Sequence, residues 1–291
     1  MKGISKINNA ATNPIMNIIA AGINKAVEER RIVLKMGSLL PLITDLTNFD
    51  VTSTEILYNK TAFTGKAQVT DQMPNTVPTV VTGTIQDKAR MKWISAGVEV
   101  SREKRAFIDS GKTITLNDEV MKAMRVIQEE EDRFLRKGVQ ELGVSGIDNI
   151  EGTNIYVSSK WATLTGEQIL EDIRKGWAAH TLDGRFDATS MWIDKTLYDE
   201  LYKPYSASEP KSVLEVLQAR NWFENIESIP GFGGAVIVED NEECFGHAVQ
   251  TPLRIGASYM EGTTEIFIIE EHVSGIIIKQ PESITKFEGV I

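Results

Sequence analysis

Residues 115–143 read TLNDEVMKAMRVIQEEEDRFLRKGVQELG. Leu116, Val120, Ala123, Met124 and Ile127 fall three or four residues apart, and Phe134, Leu135, Val139 and Leu142 resume the same face after a break. That spacing is the signature of an amphipathic helix. Thr115 with Asp118 three residues on has the form of a capping box with the shorter acid, and Gly143 is a natural left-handed stop. About 27 helical residues at 1.5 Å each make a rod of roughly 40 Å. Between the two halves of the stripe lies Gln128-Glu129-Glu130-Glu131-Asp132-Arg133, which puts carboxylates where the core-facing face should run. Two readings of that tract stand side by side: a solvated turn of helix, or charges that meet Lys or Arg on a neighbouring subunit.

Upstream of the helix, residues 51–100 are dominated by Thr, Val, Ile and aromatics, with Gly65, Gly83 and Gly97 between them. Strands are expected near Glu55–Tyr58, Phe63–Thr70, Val77–Ile85 and Trp93–Val100, with the polar segment Asp71 to Thr76, bearing Pro74 and Asn75, as a tip. Two long strands with few large apolar groups form a ribbon that is marginal alone in water. Another subunit or the protein's own body must cover it.

Before the ribbon, Ile15, Ile18, Ile19, Ile23, Val27, Val33 and Leu34 describe an amphipathic helix from Pro14 to Met36, with Asn13 and Pro14 as cap and first-turn residue. Its apolar face requires a partner, either the chain's own body or another chain. Residues 1–40 hold six Lys or Arg, including Arg30 and Arg31, against two acids. The arm thus carries +4 and the rest of the chain −14, within a net charge of −10. A basic arm on an acidic body suits a segment that docks on a neighbour or faces a polyanion. The acidic body argues against a protein that grips nucleic acid along its whole surface.

Downstream, Thr165 and Gln168 form a capping box ahead of the helix face Ile169, Leu170, Ile173 and Trp177. Thr189–Ile193 is expected as a strand, and Asp194 caps a helix with Leu197, Tyr198 and Leu201 that stops before Pro204. A helix with Val213, Leu214, Val216 and Leu217 follows, then strands at Asn225–Ile229 and Ala235–Glu239 around the turn at Pro230 to Gly234. Arg254–Ser258, Thr264–Glu271 and Ser274–Lys279 are strands again.

Apolar content of 42% and charged content of 25% are ordinary for a soluble globular chain. No run reaches the roughly 18 apolar residues of a membrane span, and the N-terminus lacks a signal-peptide pattern, so synthesis and assembly are expected in the cytosol with no membrane partner. Cys244 is the single cysteine, and His180, His247 and His272 stand far apart without metal-ligand spacing. Gly231 to Gly234 is followed by a strand where a phosphate loop would need a helix, and Ser145-Gly146 lacks the nucleophile-elbow pattern. Carboxylate pairs such as Glu242-Glu243 and Glu270-Glu271, or Lys66 with Asn75, are too ordinary to mark chemistry. The reading is of a structural protein, with no enzyme activity, cofactor or metal expected.

The order of parts, which is arm, ribbon, long helix, α/β section and closing strands, resembles the HK97 fold shared by tailed-phage major capsid proteins and encapsulin shells. The resemblance implies an α+β protein with an N-terminal arm (1–50), an E-loop ribbon (51–100), a peripheral domain with the spine helix (101–160), an axial domain (161–252) and C-terminal strands returning to the peripheral domain (253–291). Glu131-Asp132-Arg133 before Gly138, Ala26–Val33 with Arg30-Arg31, and Ile255-Gly256 resemble encapsulins in particular, whereas the length of the ribbon is closer to a phage E-loop. The implied function is self-assembly, through pentamers and hexamers, into an icosahedral shell. The implied setting is a virion capsid assembled in the host cytoplasm around a double-stranded DNA genome held without sequence-specific binding, with portal and scaffold or decoration proteins as partners. The alternative is an encapsulin compartment around a cargo enzyme. Contacts between copies are expected at Arg30, Arg31, Lys66, Asp71, Pro74, Asn75, Glu129, Glu130, Glu131 and Arg133.

Overall fold

The computed structural model describes residues 15, 17–21, 23, 36–44, 54–64, 81–110, 116–182, 184–206, 208 and 211–291. Arg30, Arg31, Lys66, Asp71, Pro74, Asn75 and the expected cap Thr115 lie outside these residues, as do the parts of the expected ribbon strands between Thr64 and Val81. The chain forms two compact units. The first contains Arg90–Asn149 and His247–Gly275 together with the described residues up to Thr54, and the second contains Glu55–Ala89, Ile150–Gly246 and Ile276–Ile291.

In the first unit, the long strand β2 (Val81–Ser101) contributes its residues from Arg90 onward, and the short helix α2 (Arg102–Asp109) follows it directly. Ser101 makes that change possible, because its hydroxyl accepts from Lys104 N–H at 3.3 Å and caps the new helix. The principal helix α3 (Asn117–Lys137) buries Val120, Ala123, Met124, Ile127, Phe134 and Leu135, the stripe read from sequence. It is shorter than expected: 21 residues, or roughly 32 Å at 1.5 Å per residue. Gly138 ends it at φ +66°, where a methyl group would overlap the Val144 carbonyl oxygen. The chain then folds into a two-residue hairpin, β3 (Gly138–Val139) with β4 (Val144–Ser145), around a 3₁₀ turn that Gly143 stops in the left-handed conformation. Val139 therefore serves the hairpin, and Leu142 is 41% exposed instead of lying on the buried stripe.

Two closing strands complete this unit, β10 (Val249–Glu261) and β11 (Thr264–Ser274). β11 pairs with β2 antiparallel without a break, from Met91 opposite Ser274 to Ser101 opposite Thr264. Alternation puts Ile94, Val98, Val100, Phe267 and Ile269 in the core on one face. On the other, Trp93 stacks on its cross-strand partner His272, with ring centroids 4.3 Å apart.

The second unit is an α/β body. Its five-stranded sheet has the order β5 (Asn154–Val157), β13 (Ile284–Glu288), β8 (Ala235–Val238), β6 (Ser190–Asp194), β7 (Asn225–Ile229). The helices are α4 (Gly166–His180), α5 (Lys195–Glu200) and α6 (Val213–Arg220). The expected box of Thr165 with Gln168 caps α4, a second box of Ser212 with Glu215 caps α6, and Asp194 accepts from Thr196 N–H at 2.8 Å to cap α5. Ile169, Leu170, Ile173, Met191, Ile193, Leu197, Leu201, Leu217, Ile237 and Phe287 fill the core with Trp161. The Lys203 ammonium fixes the turn that seats Trp161, donating to the carbonyls of Trp161, Ala162 and Leu164 at 3.0–3.1 Å. Gly176 sits in mid-helix because a methyl there would overlap the Phe287 ring of β13.

The C-terminal segment departs from expectation. Ser274–Lys279 is not one strand: β11 runs through Ser274, and a separate two-residue strand, β12 (Ile277–Ile278), pairs with β9 (Phe245–Gly246). By contact, residues 253–291 divide between the two units. Those up to Gly275 belong to the first unit, whereas 276–291 belong to the second, where β13 takes a central place between β5 and β8.

The segment 36–44 is held to the first unit by a backbone clamp on His247. Ile43 N–H donates to the His247 carbonyl at 2.9 Å, and His247 N–H donates to the Pro41 carbonyl at 3.0 Å. Burial pushes the His247 imidazole down to about 4, only partly offset by its hydrogen bond to the Pro41 carbonyl. Burial lowers His180 and His272 in the same direction. Above the ordinary histidine value of about 6.5, folded and unfolded chains both hold His247 neutral. Between about 6.5 and 4 the unfolded chain takes up a proton that the folded one refuses, so stability falls as the pH falls, by about 3 kcal/mol in total from this residue. Urea midpoints measured from pH 7.5 to 4 should decline accordingly, and His247→Gln should flatten that decline.

Candidate assembly surfaces

The acidic tract of α3 resolves into residues with different work. Glu129 accepts from Arg125 Nε one turn earlier at 2.7 Å, and Glu130 holds Arg133 with both carboxylate oxygens, one of them 2.9 Å from Nε. These pairs are exposed and lie along one helix, where each is worth only about 0.3–0.5 kcal/mol. Both have partners inside the chain, so any contact they make with another copy competes with an existing ion pair.

Glu131 and Asp132 face the N-terminal segment. Asp132 is 8% exposed, and its Oδ1 accepts the Met36 N–H at 3.0 Å, at the start of the helical turn α1 (Met36–Leu39). A carboxylate at that position satisfies a first-turn amide and complements its partial positive charge. The Glu131 carboxylate lies 3.1 Å from the position a methyl on Gly37 would take, so a side chain at residue 37 would require the Glu131 carboxylate to shift by a few tenths of an ångström. Arg136 stands 3.8 Å from the second Asp132 oxygen. Met36, Leu40 and Ile43 are buried behind this anchor. Asp132 is absent from the contact residues expected from sequence. The available signal was its phase, three residues before buried Leu135 and eight after buried Met124 on the flank of the stripe.

Of the expected arm helix, Val27, Val33 and Leu34 lie outside the described residues. Ile15, Ile19, Ala20 and Ile23 are helical and buried within the single chain, so its own body covers these residues.

At the ribbon's base, β1 (Glu55–Thr64) lies beside β2. Lys88 Nζ reaches Glu55 at 3.0 Å, Lys60 pairs with Asp87, and the Tyr58 hydroxyl donates to Asp87 at 3.2 Å. Those partners hold the Asp87 carboxyl below its usual range despite burial, while burial and Asp87 together raise the Tyr58 phenol. Ile56, Tyr58 and Ala89 are buried, whereas Leu57 and Ile85 are exposed. The base therefore has its own glue and still presents apolar side chains.

The unequal roles within the acidic tract are measurable. Asp132→Ala should lower subunit stability by roughly 1.5–3 kcal/mol, the scale of a buried hydrogen bond to a charged group. Glu130→Gln should cost under about 1 kcal/mol. Urea unfolding of dissociated subunits separates the two.

Comparison with known proteins gives these features a context. The family described as major capsid protein matches residues 65–290. Compared by sequence with curated proteins, the chain matches none. Among solved structures, the capsid of Myoviridae phage XM1 is similar over 88% of this chain and 92% of that one, with a TM-score of 0.66 at 14% identity. A virus-like particle from Pyrococcus furiosus covers 94% and 99%, with a TM-score of 0.63 at 17% identity. A chain of Gordonia phage Cozz covers 99% of each, with a TM-score of 0.56 at 11% identity. At such identities the likeness concerns the fold, and it is the HK97-like fold of ribbon, principal helix, α/β body and closing strands. With that fold, and a family match over most of its length, the chain belongs to the major capsid protein family.

Proposed function

We propose that copies of this chain assemble through pentamers and hexamers into a closed icosahedral shell around a phage double-stranded DNA genome. The observation that carries the reading is the family match over residues 65–290. The acidic balance of −10 is compatible with it, because a closed wall confines a genome mechanically and needs no tight, sequence-specific grip. The subunit's part is structural: it supplies surfaces that fit other copies. In this reading assembly takes place in the host cytoplasm, portal and scaffold or decoration proteins complete the particle, and Arg30, Arg31, Lys66, Asp71, Pro74, Asn75, Glu129, Glu130, Glu131 and Arg133 lie at or near contacts between copies. The domain limits carried over from the HK97 resemblance belong to the same proposal.

A second reading, an encapsulin-type compartment around a cargo enzyme, is favoured by one observation, the fold likeness to the Pyrococcus furiosus particle over almost its full length. The contents of the particle separate the two. Particles purified from the native host, treated with nuclease and then opened, should release long double-stranded DNA. A single enzyme released without nucleic acid would overturn the capsid reading in favour of the compartment, and failure to recover any particle would overturn both.

A further inference from the structure

The sheet of the second unit has two edges, and the sequence treats them differently. At β7, Glu227 lies within the strand, Glu224 precedes it and Pro230 follows it. Charges and proline at an edge discourage pairing with another chain. β5 at the opposite edge has neither in its four residues. Among the described residues it pairs on one side only, parallel to β13, with Asn154 opposite Thr285 and Val157 opposite Glu288.

This strand is firmly held. Tyr156 turns towards α4, its hydroxyl donating to Asp172 at 2.9 Å and its ring meeting Phe287 edge-on at 5.2 Å. Asp172 also accepts from Trp161 Nε1 at 2.8 Å and from the Ser158 hydroxyl, and Asn154 Nδ2 donates to the Glu282 carbonyl at 2.9 Å. By alternation Ile155 and Val157 project to the side opposite Tyr156. They are 59% and 76% exposed. Their neighbour in the register, Lys286, gives no shield, because its ammonium lies 2.9 Å from the Ile150 carbonyl.

We propose that β5 is covered by a second copy of this chain, with Ile155 and Val157 as the apolar centre of the contact. This rests on the reading of the chain as a shell subunit. In a shell each subunit meets other copies at a higher local concentration than any other protein. A rigid, uncharged edge with two exposed β-branched side chains would pair with those copies whether or not it was meant to. The β7 edge is screened against that outcome, and the β5 edge is open to it.

The test compares wild type, the double variant Ile155→Lys with Val157→Lys, and the conservative pair Ile155→Val with Val157→Ile. Because both side chains are exposed, the dissociated double-lysine subunit should melt as wild type does. The concentration at which its particles appear should rise about tenfold or more, while the conservative pair assembles normally. Amides of residues 154–157 in the wild type should also exchange more slowly in particles than in free subunits. Normal assembly of the double-lysine variant, or equal exchange in the two states, would overturn the proposal. If the lysines prevent folding, Ile155→Ser with Val157→Ser replaces them and the wild-type exchange comparison decides. Absence of particles from the wild type counts instead against the shell reading.

Discussion

The unbroken pairing of Met91–Ser101 with Thr264–Ser274 is the constraint on which the first unit depends. It joins stretches separated by more than half of the chain, so the entropy of closing that loop must be recovered from the apolar face that the pairing completes. Val98, Val100, Phe267 and Ile269 provide that face, and α3 is packed against it. In sequence, Ile150–Gly246 falls between the two paired strands and belongs to the second unit. That body closes in the same way, when β13 from the end of the chain enters between β5 and β8.

Among the described residues, several charges on α3 and at the ribbon base are paired within the chain. Glu129 and Glu130 have arginines on their own helix, Asp132 caps Met36, and Lys60 with Asp87 ties the two ribbon strands. Pairs already formed have little to gain by being exchanged for pairs between copies, since desolvation offsets the new attraction. Among the described residues, Leu57 and Ile85 on the ribbon and Ile155 and Val157 on β5 are exposed apolar side chains, for which association carries no such desolvation cost.

What could be read in the sequence follows the range of the interactions. The capping box at Thr165 and the cap at Asp194 are local, so the starts of α4 and α5 were legible, whereas α5 ends at Glu200, short of the expected stop before Pro204. The stripe of α3 was legible as far as Leu135 and misleading beyond it. Val139 and Leu142 keep helical phase, but Gly138 adopts a positive φ that only the packing of the 138–145 hairpin requires. β5 and β13 were not read as strands at all. Their four and five residues carry no turn signal of their own, and their pairing joins positions 131 residues apart, with β8 on the other side of β13. Asp132 was missed for the same reason, its partner Met36 lying 96 residues away. The overall order of parts was more robust than any single boundary, because it depends on which segments are apolar and in what sequence they come.

The central claim, that this acidic chain is a subunit that closes on copies of itself, is most directly tested by the sedimentation of the purified protein over a range of concentrations. A sharp threshold is expected, above which one discrete, megadalton species forms at the expense of the free subunit. A single slow boundary at every concentration, or a continuous ladder of aggregates without a limiting size, would contradict it.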